Sequence, residues 1–321
     1  MEYTGSAIVT GGTMGLGYHA ATEIARKHPD WLVVLCSRTD KEHAADSINK
    51  TLRQNNVIFL PLDLSDTKNV RAFVDEWTSK NYPPLQALLL NAGLQFPKET
   101  VFNGEGIEAT FAVNHVGHAL LFHLLCPLLA RNARVVVTAS GVHDPAQKSG
   151  LPDATYTSAE DLAHPPPAMT NRPGTGHYAN SKLANIMWTY ALDKRLRERV
   201  PDRGITVNAF DPGLMLGTGL AREHSPAVRF VFNHVMPCFV PVLKVAYTHN
   251  IHPPAESGAS LARLAVGDDV AGVSGKYYEG RKEIQSSIPS YTERFHDDLW
   301  QWTIKHLAQD EAQAARFEGL K

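Results

Sequence analysis

Apolar runs and helical patterns alternate through the first two thirds of the chain. "SAIVT" (6–10) leads to a helical pattern near 15–28, "WLVVLCS" (31–37) to one near 40–54, and "VIFLPL" (57–62) to one over 67–79. "LQALLLN" (85–91) precedes a helix expected over roughly 104–130. "RVVVTAS" (134–140) is followed by a long irregular stretch and a helix near 176–199, and "ITVNAF" (205–210) comes next. These runs are too apolar for strands with one face in water; they suit parallel strands covered on both faces. The alternation predicts an α/β fold: a Rossmann-type, doubly wound parallel sheet with helices on both faces and function at the carboxyl ends of the strands.

The last third reads differently. Residues 253–269 predict a helix, "GKYYEG" (275–280) a last strand, and 289–307 a closing helix rich in Trp and His. No linker separates a second unit, so one domain is expected over 1–321, with lid segments at about 143–177 and 214–250 and a C-terminal helical extension at about 289–307. The stretch 227–247 is the nearest approach to a membrane span. It is broken by Arg229, Asn233, His234, two prolines and Lys244, and reads as an amphipathic flap; no transmembrane segment is expected.

Bulk numbers narrow the partners. The 321 residues carry a net charge of −2, which gives no basic footprint for nucleic acid. Cys36, Cys126 and Cys238 are far apart and match no zinc or disulfide spacing, so buried thiols in a reducing, cytoplasmic setting are expected.

Directly after the first strand stands "TGGTMGLG", Thr10 to Gly17. Gly11, Gly15 and Gly17 allow a sharp turn, and the backbone around Thr13, Met14 and Leu16 can approach a pyrophosphate at the positive end of the next helix. Where an NAD site usually has an acid to meet the ribose, the second strand ends on Ser37 and Arg38. A hydroxyl and a guanidinium suit a 2′-phosphate, so NADP(H) is the expected cofactor, with Lys41 a weaker helper; a solvated loop charge is the plainer reading of Arg38. Asp63 and Leu64 are placed to meet an adenine edge, and Asn91, Ala92 and Gly93 to let backbone pass close to the cofactor; a capping Asp and a tight turn are the plain alternatives.

Three Tyr/Lys pairs have helical i,i+4 spacing: Tyr178/Lys182, Tyr190/Lys194 and Tyr278/Lys282. Spacing alone does not choose among them.

Taken together, "TGGTMGLG", "NAG", Asn114 in "FAVNHVGHALL", Ser140 in "VVVTAS", Tyr178 and Lys182 in "YANSK", and "DPG" (211–213) resemble the short-chain dehydrogenase/reductase family over essentially residues 5–280. Within it the chain looks most like retinol dehydrogenases and, around "PGLMLGTGLAREHSP", protochlorophyllide oxidoreductase. The resemblance selects Tyr178 as proton donor, Lys182 as the charge that lowers its pKa and holds the nicotinamide ribose, and Ser140 as donor to the substrate oxygen. By the same likeness Asn114 bends its helix and holds a water behind Lys182, and Pro212-Gly213 walls the nicotinamide. Thr218, one place later than the family's usual carboxamide-binding Thr, is a candidate for that contact.

Departures from the relatives shape the expected activity. Leu214 and Ala184 stand where protochlorophyllide oxidoreductase has cysteines, which points to dark hydride transfer. The long gap between Ser140 and Tyr178, with Phe230, Phe232, Met236 and Phe239 in the second lid segment, suggests a wide apolar pocket; packing of those side chains onto the body is the alternative. His115, His118 and His123 share one helix without the partners a metal site needs, and His143 is either at the substrate entrance or on the surface. The expectation is an NADPH-dependent carbonyl reductase, reversible as an alcohol dehydrogenase, acting on a bulky lipophilic, aromatic or polycyclic ketone. The alternatives are a nucleotide sensor, a non-redox biosynthetic role, or a retinoid or secondary-alcohol dehydrogenase. Monomer and homodimer are both open.

Overall fold

Seven parallel strands and one antiparallel edge strand make a single sheet. They are β1 (Gly5–Thr10), β2 (Trp31–Ser37), β3 (Val57–Pro61), β4 (Leu85–Leu90), β5 (Leu129–Thr138), β6 (Thr206–Asp211), β7 (Tyr277–Glu279) and β8 (Lys282–Ile284). Their order is β3-β2-β1-β4-β5-β6-β7-β8, with only the β7–β8 pair antiparallel. The order reverses direction between β1 and β4, which opens a crevice at the carboxyl ends of those strands. This computed structural model describes residues 3–171, 173–216 and 248–321, with Phe230, Val231, Met236 and Val240 between them. Phe232, Phe239, Cys238, Thr218 and most of the flap at 227–247 lie outside the described residues.

Helices α1 (Gly15–Lys27), α2 (Ala44–Leu52), α3 (Thr67–Ser79), α4 (Ala109–Leu128), α5 (Thr175–Arg199), α6 (Pro254–Val266), α7 (Glu293–Leu307) and α8 (Glu311–Gly319) cover the two faces. On one face Ala20, Ala21 and Ile24 of α1 meet Leu261 and Ala265 of α6 above Val9 and Val33. That pair packs closely because Gly258 has no side chain: a Cβ there would lie 2.9 Å from the Ala20 nitrogen. The other face holds Phe111, Leu120, Trp188 and Trp300 in one cluster. Each such fully buried large side chain contributes about 1.5–3 kcal/mol, enough to hold α4 and α5 against the sheet.

The structure moves one helix start and adds two elements at the end. α4 starts at Ala109 rather than 104 because Glu108 caps it, accepting from the Thr110 and Phe111 N–H groups at 3.0 and 2.7 Å. Burial pushes the Glu108 carboxyl up to about 7, against the pull of those N–H groups. α4 is long and apolar enough to cross a membrane, yet 83% of its most apolar window is buried in the protein. It is a core helix. At the other end, β8 and α8 were missed: three residues with exposed Lys282 and Glu283 carry little strand signal, and α8 is short.

α5 has almost no apolar stripe, since 17 of its 25 residues are buried. The reason is α7, which covers the side that the sheet does not. Arg195 of α5 pairs with Asp297 at 2.9 Å and lies over the Trp300 ring. The segment 143–177 divides in two. Its later half is bolted down, with Tyr156 Oη donating to Asp298 at 2.6 Å and the Ala159 N–H to the same carboxylate at 2.8 Å. Gln147, Ser149 and Leu151 of the earlier half line the crevice, with Val142 just before them and Thr175 near the segment's end.

Candidate active site

A cavity of about 590 Å³ runs from the glycine loop at the end of β1, past the ends of β2 and β3, to the ends of β5 and β6. Gly11 takes a φ of +65°, and a Cβ there would press on the Ala92 backbone at 3.0 Å; at Gly17 it would meet the Gly11 carbonyl. α1 begins with no side-chain cap and no acid in its first turn, so its positive end faces the cavity unneutralised. These features fit a dinucleotide pyrophosphate. Ser37 accepts from Thr13 Oγ1 at 3.0 Å, and exposed Arg38 lines the cavity beside it. Asp63 lines the same wall with Leu64, its carboxylate accepting from the Ser65 N–H and hydroxyl at 2.9 and 2.7 Å.

Asn91, Ala92 and Gly93 also line the cavity, but the Asn91 side chain is committed to the sheet. Its Nδ2 donates to the Thr10 carbonyl at 2.8 Å and its Oδ1 accepts from Thr138 Oγ1 at 3.2 Å, so one amide ties β1, β4 and β5 together. Thr10 completes the tie by accepting from the Asn91 and Ala92 N–H groups at 2.8 and 2.9 Å. Sequence reasoning passed over Thr10 and Thr138. A hydroxyl closing an otherwise apolar strand was the available signal.

Ser140, Tyr178 and Lys182 converge at the far end of the cavity. Ser140 follows β5; Tyr178 and Lys182 lie one turn apart near the start of α5. The Lys182 ammonium sits 5.4 Å from the Tyr178 ring centre and donates to the Thr138 carbonyl at 3.0 Å. Asn114 lies in a π-helical turn, Ala112–Val116, within α4. Its Oδ1 accepts from the Leu94 N–H at 2.9 Å, and its Nδ2 donates to the Leu94 carbonyl at 3.1 Å and to Ser181 Oγ at 3.0 Å. It thereby joins three elements next to Lys182.

The other two pairs sit elsewhere. Tyr190 stacks on Tyr291 and bonds Ser286 at 2.7 Å, while Lys194 reaches Glu293 at 3.6 Å. Tyr278 packs beneath Arg263.

The electrostatics differ from expectation. Lys182 was expected to draw the Tyr178 phenol down. Instead burial first, and the charge of Asp211 second, push it above its ordinary value, while a hydrogen bond with Ser140 pulls it back. Burial also lowers Lys182 to about 8, with Asp211 opposing that loss of charge. Asp211 itself is buried and pushed up to about 6 by burial. Its Oδ1 accepts from the Gly213 N–H at 3.0 Å and its Oδ2 from Asn250 Nδ2 at 2.9 Å. Gly213 turns with a φ of +73°, leaving room for Asn250 beneath it, and Pro212 lines the cavity alongside. The sequence reading took "DPG" only for its Pro and Gly. An acid ending the apolar run "ITVNAF" was a signal that went unused.

The histidines are structural. His118 bonds Thr10 Oγ1 at 2.9 Å and the Asn114 carbonyl at 3.1 Å, and His115 bonds Thr303 at 3.1 Å. His123 packs between Trp300 and Phe317. His143 is buried rather than on the surface. Its Nδ1 donates to the Ser140 carbonyl at 2.8 Å and its Nε2 accepts from the Ser287 N–H at 3.0 Å, which bolts the Ser140 turn to the C-terminal region.

Comparison with known proteins agrees with this architecture. Residues 6–158 match the family model described as short chain dehydrogenase. Short-chain dehydrogenase TIC 32 A, chloroplastic, of Brassica napus is 30% identical over 94% of this chain and 88% of its own. Retinol dehydrogenase 14 of Homo sapiens is 30% identical over 92% and 84%. Protochlorophyllide reductase A, chloroplastic, of Oryza sativa subsp. japonica is 29% identical over 88% and 74%. Among solved structures, angucycline C-6 ketoreductase LanV with bound NADP shares the fold at a TM-score of 0.61, with 18% identity over 86% of this chain and 96% of its own.

Proposed function

The chain belongs to the short-chain dehydrogenase/reductase family, and within it we propose that this protein is an NADPH-dependent carbonyl reductase for a bulky, lipophilic ketone. The observation that carries the reading is the meeting of Ser140, Tyr178 and Lys182 at one end of a cavity whose other end is an uncapped, glycine-built helix start.

Bound along that cavity, a nicotinamide dinucleotide would supply the hydride. Gly11 to Gly17 would hold its pyrophosphate, and Ser37 and Arg38 a 2′-phosphate; the absence of an acid at the end of β2 supports NADPH over NADH. The chain itself does the proton chemistry. Ser140 orients the carbonyl oxygen by donating to it, and Tyr178 delivers its phenol proton there. The Lys182 ammonium, fixed by the Thr138 carbonyl, stabilises the phenolate that remains.

A lipophilic substrate is supported by the apolar wall of this end, where Leu94, Val113, Val142, Leu151, Leu214 and Met215 line the cavity. The likeness to a retinol dehydrogenase points the same way. The test is NADPH oxidation in the dark over a panel of bulky aromatic and polycyclic ketones. Turnover of one or more supports the reading; NADPH binding with no turnover favours the sensing or non-redox alternative.

A further inference from the structure

Ser140 and Tyr178 come from different elements, so the fold must fix one against the other. Tyr178 is carried by α5, a largely buried helix, whereas Ser140 precedes a tight turn, Gly141–His143, at the exit of β5. The Ser140 side chain holds that turn weakly: its Oγ accepts from the Val142 N–H at 3.5 Å, at the long limit for a hydrogen bond. The firmer hold is on the backbone. The Ser140 carbonyl accepts from the His143 N–H at 3.2 Å and from His143 Nδ1 at 2.8 Å.

His143 is only 1% exposed, and its two partners set its tautomer. A carbonyl only accepts and the Ser287 N–H only donates, so Nδ1 carries the proton and Nε2 accepts at 3.0 Å. Burial holds the ring below its ordinary pKa, against the bond to Ser140 and the charge of Asp144. The neutral ring thus bridges the Ser140 turn to the turn that follows β8, and it meets Tyr277 of β7 edge to face at 5.1 Å.

That second turn is tied back to α5. Tyr190 Oη bonds Ser286 Oγ at 2.7 Å, and Ser286 Oγ bonds Ser290 Oγ at 2.6 Å. Ser290 Oγ donates to the Ser287 carbonyl at 2.6 Å. Each hydroxyl has one proton, so the donors run one way, from Tyr190 through Ser286 and Ser290 to Ser287. The Ser290 carbonyl also bonds His296 of α7 at 2.6 Å. Contacts therefore lead from Tyr190, on the same helix as Tyr178, through the 286–290 turn and His143 to Ser140.

We propose that His143 is a positioning residue: with the 286–290 turn it forms a strut from Tyr190 of α5 to the Ser140 backbone, and so sets the Ser140 hydroxyl against the Tyr178 phenol. This rests on the carbonyl-reductase reading above, in which both groups reach one substrate oxygen. Two hydroxyls that share one oxygen tolerate little error, since a misplacement of about 1 Å can cost about 10²-fold in rate. Tyr190, from a Tyr/Lys pair that lies outside the cavity, thereby acts on the chemistry at a distance.

The experiment uses the full chain. His143→Leu cuts both ends of the strut, His143→Asn keeps a donor for the Ser140 carbonyl, and Tyr190→Phe removes only the far hydroxyl while preserving its ring. Two readouts are taken: hydrogen exchange by mass spectrometry over residues 139–144, and kcat with a ketone per NADPH-binding site. Exchange over 139–144 should quicken by about tenfold in His143→Leu and by less in Tyr190→Phe, the scale of one lost hydrogen bond, while α1 is unchanged. In His143→Leu kcat should fall by about tenfold or more with NADPH affinity kept, and His143→Asn should recover part of it. Tyr190→Phe carries both readouts if His143→Leu does not fold.

A histidine that only stabilises the fold would change the folded fraction and leave kcat per site at the wild-type level; that result overturns the proposal. Unchanged exchange over 139–144 in folded His143→Leu overturns it too, as does Tyr190→Phe with no effect on either readout. Ketone turnover by wild type tests the underlying reading separately. Turnover with unmoved exchange removes the strut and leaves the reductase. Quickened exchange in a chain that reduces no ketone leaves the strut and removes its role in carbonyl reduction.

Discussion

Lys182 Nζ donates to the main-chain oxygen of Thr138 at 3.0 Å, so the ammonium of α5 is anchored to the strand that leads to Ser140. The same carbonyl also accepts from Asn185 Nδ2 at 3.2 Å. Lys182→Met therefore leaves no backbone oxygen unpaired and removes a buried charge. Its melting temperature should equal or exceed that of wild type, while ketone reduction falls by about 10²-fold or more. Parallel calorimetry and initial rates check this; a large loss of stability would show that the ammonium holds the fold.

Tyr178→Phe should reduce kcat by about 10²-fold or more, the usual scale for an acid–base group. The ring packing survives the change, so NADPH affinity measured by fluorescence titration should hold. Equal turnover by the variant would place the proton source elsewhere.

Arg38 lines the cavity at the end of β2 without burial to fix it. Arg38→Ala should weaken NADPH binding by about tenfold or more, the scale of a charge-assisted hydrogen bond, and leave NADH binding nearly unchanged. The ratio of the two dissociation constants is the readout. An equal effect on both would make Arg38 a general surface charge.

His123 lies in an aromatic packet with no hydrogen-bond partner on either ring nitrogen among the described residues, and burial lowers its pKa to about 3. The unfolded chain binds that proton near the ordinary 6.5, so stability present above pH 6.5 is lost as pH falls below it. His123→Leu abolishes the proton uptake. Urea midpoints should rise, and the gain at pH 5 should exceed that at pH 7 by about 2 kcal/mol. A pH-independent gain would mean that packing alone accounts for it.

Much of the fold was legible because it is locally encoded. Six apolar runs set six strands, and α3 falls at 67–79 as the pattern predicted. Boundaries failed where a distant partner or a side-chain cap decided them, as Glu108 does for α4. The elements at the end were hardest: β8 is three mostly exposed residues whose pairing comes wholly from Tyr277 to Glu279.

The sequence by itself determined the alternation of strands and helices, the glycines that the loop after β1 requires, and the residues offered for chemistry. Those follow from backbone conformation, side-chain period and residue type, which are properties of short stretches. Only the tertiary structure decided the field in which Tyr178 and Lys182 work. Burial in the folded chain, together with the charge of Asp211 from a later strand, raises the phenol that Lys182 was expected to lower. A pKa depends on what surrounds a group in space, and its neighbours along the chain do not supply that.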